Sequence, residues 1–118
     1  MASSILVLIT RAPYGLEEAF AGLRLALAVG VNGVKTSVVL MEDGVYNAIG
    51  SQKSEALKMP SNADATKELY DFDVQVHVVK EDLELRDVQE SRLFDGVKII
   101  PRAQLKQILN EHDVVTTF

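Results

Sequence analysis

The side chains able to do acid–base or binding chemistry fall just after three apolar runs. Arg11 and Tyr14 follow the first, Glu42, Asp43 and Tyr46 the second, and Lys80, Glu81 and Asp82 the third. Paired carboxylates beside an arginine and a tyrosine shift one another's pKa values and can hold a polar ligand. If the three runs are parallel strands, these residues share one edge of a sheet, outside the carboxyl ends, where open α/β sheets collect ligands. The plainer alternative is that charged loops end most strands of α/β proteins and that Arg11 simply neutralises Asp43.

Other chemistries find less support. His77 and His112 are the only imidazoles and the chain has no cysteine, so a zinc site lacks ligands and both histidines read as structural. His112 falls at a helix end, where a cation suits the carbonyl dipole. No G-x-S-x-G elbow presents a serine and no G-x-G-x-x-G follows a strand. Gly30-Val31-Asn32-Gly33-Val34-Lys35-Thr36 has glycines before Lys-Thr, but the spacing is wrong and it leads from helix to strand, the reverse of a phosphate loop. No metal or cofactor is expected.

Elements must position the candidate groups. Ser4-Ile5-Leu6-Val7-Leu8-Ile9-Thr10 is a continuous apolar run of strand length, expected at the centre of the sheet with helices on both faces. Arg11-Ala12-Pro13-Tyr14-Gly15 breaks it, since Pro13 lacks a ladder N–H and Gly15 allows angles other residues resist. Residues 16–30 then read as a helix charged only at Glu17, Glu18 and Arg24, three positions in one wedge. Either it is buried twice, on its sheet and on a partner, or its alanines are good helix formers on a small exposed face.

A second strand is expected over residues 36–41, parallel to the first, and Glu42-Asp43-Gly44 is turn chemistry at its exit. Pro60 closes an irregular stretch, and Ser61 or Asn62 can cap a helix over residues 63–70. The third strand, residues 74–79, alternates at its start: Gln75 and His77 share a face that is either wet or paired across an interface. Residues 80–87 read as a short charged helix, residues 97–100 as a fourth strand, residues 101–110 as a helix begun by Pro101, and residues 114–118 as an edge strand. The order β-α-β-α-β-α-β-α-β predicts a three-layer α/β/α sandwich with a mostly parallel five-stranded sheet.

The 118 residues, 47% hydrophobic and 25% charged, suit one domain over residues 1–118. A net charge of −5 with no Lys/Arg cluster argues against direct nucleic-acid binding. The apolar run 5–9 has no basic flank and is too short for a signal segment or membrane span, so a cytoplasmic location without membrane attachment is expected.

Arg11-Ala12-Pro13-Tyr14-Gly15, then Asp43-Gly44-Val45-Tyr46, then Asp113-Val114-Val115 ending in Phe118, together resemble the DsrE/DsrF/DsrH superfamily, and within it the DsrF/TusC branch. Gly50-Ser51-Gln52-Lys53 resembles the stretch after D-G-V-[YF] in that branch. The resemblance spans essentially the whole chain. It implies a small α/β/α domain in homo- or hetero-oligomers, typically hexameric, with DsrE-like and DsrH-like partners. It also implies a place in a sulfur relay, toward tRNA thiolation or in sulfur oxidation.

In DsrE/TusD-type subunits a cysteine just past the third strand carries the sulfur. Matching Arg86-Asp87-Val88 to the R-G-[VL] of those subunits puts Val79 at the cysteine position. A valine offers no thiolate, so sulfur transfer by this chain alone is excluded, and a non-catalytic subunit supporting a cysteine-bearing partner is expected. On that reading Asp43-Gly44-Val45-Tyr46 sets shape: Gly44 permits the turn, Asp43 bonds the turn's backbone, and Val45 and Tyr46 offer apolar area to a neighbour. Arg11, Pro13, Tyr14, Gly15, Glu42, Asp43, Gly44 and Tyr46 are then loop residues for a ligand or an interface, and Gln75 and His77 interface candidates. The alternative is a small-molecule-binding or catalytic domain using the polar loops.

Overall fold

The computed structural model describes residues 4–11, 18–49, 69–70, 72–94 and 96–118. Pro13, Tyr14, Gly15, Glu17, the stretch from Gly50 to Asn62 and most of the expected helix after it lie outside these residues. Its last two positions, Leu69 and Tyr70, are helical.

Five strands, β1 (Ser4–Ile9), β2 (Lys35–Leu40), β3 (Gln75–Val79), β4 (Lys98–Ile100) and β5 (Val114–Thr117), form one sheet in the order β4-β3-β2-β1-β5. Every neighbouring pair is parallel. The centre is β2, whereas the apolar run of β1 suggested that β1 would hold it. The reason is topological. After β4 the chain recrosses the sheet and adds β5 to the free side of β1, making β1 an interior strand next to the edge.

Helix α1 (Glu18–Val31) and the helical residues 69–70 cover one face, and α3 (Arg102–Asn110) the other. The strand period of two sends Val7 and Ile9 of β1, Val38 and Leu40 of β2, and Val76 and Val78 of β3 to the α1 face, with Leu23, Ala26 and Leu69 packed on them. The alternate residues Leu6, Val39 and Val79 join Ile100 and Ile108 beneath α3. Both sides of β1 are thus apolar because both are covered.

Helix α1 is buried along one stripe, with Gly22, Leu23 and Ala26 inward, while Ala21, Leu25, Ala28 and Val31 remain exposed. β3 passes directly into the short α2 (Lys80–Leu85), and β4 into α3 through Pro101. Pro101 stands one position before α3, and the Glu81 carboxylate accepts the Arg102 N–H at 2.9 and 3.1 Å. That side chain satisfies one of the donors a helix leaves open at its start.

Candidate functional site

The carboxyl ends of β1 to β4 lie on one side of the sheet, and the buried carboxylate of Asp82 ties the segments that follow β2, β3 and β4. Asp82, in the first turn of α2, is 3% exposed. Its Oδ2 accepts the Glu42 N–H at 2.7 Å from the loop after β2, and its Oδ1 accepts from Arg102 Nη2 at the start of α3. Arg86, one helical turn on, brings Nη1 to 3.8 Å from the same Oδ1 and donates to the Asp82 backbone oxygen at 3.4 Å. Its Nε donates to Asp43 Oδ1 at 2.9 Å. A buried carboxylate needs such charged and N–H partners to offset its lost hydration.

The loop after β2 is not a plain turn but a 3-10 helix, Glu42–Ala48. Glu42 enters it at φ 53°, a left-handed conformation uncommon outside glycine, held by the bond to Asp82. Gly44, expected to supply the turn's backbone angle, does not have a positive φ. It is needed for close approach: a Cβ there would lie 1.9 Å from the Ile9 carbonyl oxygen. Asn47, fully buried, donates from Nδ2 to the Arg11 and Gly44 carbonyls, 3.0 Å each. The loops after β1 and β2 are therefore stitched to each other. Thr10 is fixed from the far side, its N–H and Oγ1 both donating to the Phe118 oxygen at 2.8 and 2.9 Å.

Between these segments lies a cavity of about 460 Å³, bounded by Thr10 and Arg11 after β1, Glu42 and Asp43 after β2, and Arg102 after β4. From α2 it takes Asp82, Leu85 and Arg86. Three guanidiniums face three carboxylates, and Leu85 stands on the rim 79% exposed. Charges of both signs around an open recess suit the holding of a polar ligand.

Of the residues singled out by sequence, Arg11, Glu42 and Asp43 do meet here. Asp43 pairs with Arg86, not with Arg11 and not with its own turn. Tyr46 packs half-buried on the α1-side core. Pro13, Tyr14 and Gly15 lie outside the described residues. Gln75 and His77 do not line the cavity; they sit in β3 on the α3 side, Gln75 exposed and His77 8% exposed.

His77 Nδ1 has no hydrogen-bond partner among the described residues. Burial, then the charges of Lys98 and His112, lower its pKa to about 4. His112 is structural, as its place at a helix end suggested: Nδ1 lies 2.8 Å from the Ile108 oxygen and Nε2 3.2 Å from Ser37 Oγ. Val79 closes β3 with its side chain fully buried among Leu6, Val39, Ile100 and Ile108. Among the described residues no group of three His, Asp or Glu is placed to hold a metal, and no helix is long and apolar enough to cross a membrane.

Sequence reasoning missed Arg102, Leu85 and the roles of Asp82 and Arg86. The signals were present in part. Asp82 and Arg86 stand four apart on a helix, and Arg102 follows the fourth strand as the other candidates follow the first three.

An all-parallel α/β domain with a charged recess at the carboxyl edge of its sheet is the class defined by fold and site together. Within that class the chain belongs to the DsrE/DsrF-like family, whose model matches residues 3–118. A protein of Methanocaldococcus jannaschii is 30% identical, covering 95% of this chain and 96% of its own. The intracellular sulfur oxidation protein DsrF of Allochromatium vinosum is 26% identical over 92% of this chain and 90% of its own. A TusC homolog of Vibrio vulnificus is 26% identical over 98% and 99%. Among solved structures, the ychN protein of E. coli is similar with a TM-score of 0.90 and 29% identity, over 98% of this chain and 99% of that one.

Proposed function

We propose that this chain is a DsrF/TusC-like subunit of a cytoplasmic sulfur relay. It carries no sulfur itself but builds an oligomer around a cysteine-bearing DsrE/TusD-like partner, together with a DsrH-like chain. The observation that carries this reading is end-to-end similarity to proteins named DsrF and TusC in a chain without cysteine. Persulfide chemistry needs a thiolate, which a partner must then supply. The exposed Leu25 and Val31 of α1 and the apolar Val114 and Val115 of β5 offer area to such partners.

The test is molar mass in solution, alone and mixed with a DsrE-like and a DsrH-like protein. A defined complex is expected. A persistent monomer that joins neither ends the reading. Loss of tRNA thiolation, or of sulfur oxidation, on deleting the gene assigns the pathway.

The cavity favours a second reading, a small-molecule-binding domain using the loops at the sheet edge. Its charged lining and its volume of about 460 Å³ support it. Titration with small polar ligands, followed by backbone amide shifts at Arg11, Glu42 and Arg86, tests it.

A further inference from the structure

Two charged side chains of the cavity, Arg11 and Glu42, are exposed and engage no described residue through their guanidinium and carboxylate. They lie two residues beyond the register pair Ile9 and Leu40, in the segments that leave two adjacent strands. Asp82 holds Arg102 through Nη2 alone, and Arg86 spends its Nε on Asp43. Both guanidiniums keep N–H groups that no described residue engages, in positions fixed by a buried carboxylate.

The lining is balanced in sign, with Arg11, Arg86 and Arg102 against Glu42, Asp43 and Asp82. A compact polyanion entering it would meet two exposed carboxylates, and a polycation would meet three guanidiniums. A ligand that itself carries one charge of each sign meets neither obstacle. Leu85 adds an exposed apolar contact at the rim, and the volume falls within the range of small-molecule sites.

We propose that this cavity binds a small zwitterion, an α-amino acid or short peptide with free amino and carboxyl groups. Its carboxylate sits at Arg11 and the free N–H groups of Arg86 and Arg102, its ammonium at Glu42, and an apolar side chain lies against Leu85. The proposal rests on the second reading above and names its ligand class.

The experiment is an NMR titration of the full chain with alanyl-leucine, its N-acetylated and C-amidated forms, free leucine and inorganic phosphate. Saturable shifts at Arg11, Glu42 and Leu85 are expected with the free dipeptide, and with leucine also if one residue fills the site. Each blocked form should bind about tenfold more weakly, the loss of one charge-assisted contact. Arg11→Gln and Glu42→Gln, at exposed positions, should weaken the free dipeptide by a similar factor. Arg11→Gln should also reduce the preference for free acid over amide, which Arg86 and Arg102 keep in part, and Glu42→Gln should abolish that for free amine over acetyl. Phosphate or the acetylated peptide binding as tightly as the free dipeptide would overturn the ligand class while leaving a binding site. If no compound shifts these amides at millimolar concentration, both the class and the small-molecule reading fail.

Discussion

A methyl group on Gly44 would stand 1.9 Å from the Ile9 carbonyl oxygen and 2.7 Å from its carbon. Both are backbone atoms of an interior strand, so neither can move aside without dragging the carboxyl end of β1. Gly44→Ala is expected to destabilise the fold by about 3 kcal/mol, at the upper end of overpacking costs, read as a lower urea midpoint. A drop of only a few tenths would mean that the loop can retreat. The sequence pointed at Gly44 for the wrong reason. Glycine before a polar turn suggests a positive φ, yet it is Glu42 that adopts one, because a carboxylate forty residues away holds its N–H. Val79 is the second residue with a consequence. Its side chain faces the core beneath α3, so a thiol placed there is walled off from solvent. Val79→Cys should react with Ellman's reagent on the order of 100-fold more slowly than an exposed thiol, since reaction needs local opening. Rapid reaction would show that position 79 opens onto the sheet edge.

Helix α2 was legible as a short charged helix because six of residues 80–87 are charged and they leave a strand at once. Its direction was not. Nothing in Lys80-Glu81-Asp82 says which of three polar side chains turns inward, and burial of a carboxylate is decided by partners from other segments, here Arg102 and the Glu42 N–H. The helix thus acts as a clasp: Glu81 caps α3, Asp82 holds the loop after β2, and Arg86 reaches Asp43. Asp82→Asn removes the charge and turns one acceptor into a donor. A loss of about 2 kcal/mol is expected, tempered because Arg102 is half-exposed. The Glu42 and Arg102 amide resonances should move while those of Leu6 and Val39 stay in place. Shifts spread evenly through β1 and β2 would instead indicate a general loosening.

For the molecule as a whole, the five-stranded α/β/α architecture followed from alternation of apolar runs with helical patterns, and each strand fell within a residue or two of its expected bounds. Strand order did not follow, because parallel pairing leaves no mark on a fully apolar strand such as Ile5-Leu6-Val7-Leu8-Ile9. The uneven third strand proved informative in a different way. His77 is buried and its pKa lies near 4, against 6.5 for an unperturbed histidine. Unfolded chains therefore take up a proton below pH 6.5 that the folded protein refuses until near pH 4. Stability is at its full value above pH 6.5, falls between 6.5 and 4, and from this residue falls no further below that. The loss should be on the order of 3 kcal/mol. Urea unfolding across this range should show a shallower acid decline for His77→Gln than for the natural chain. An identical decline would assign the acid sensitivity to carboxylates.

The bonds joining β1 to β5 carry a consequence for how the molecule assembles in time. Thr10 and Phe118, bonded through both Thr10 donors, lie 108 positions apart, and among the described residues β5 pairs with no strand but β1. During synthesis β1 emerges early, yet one whole side of its ladder stays open until the ribosome has delivered residues 114–118. Closing so long a loop is slow. A nascent chain of this kind passes through a stage in which the first strand is an unguarded edge, and that stage is when a neighbouring copy can most easily take the place meant for β5.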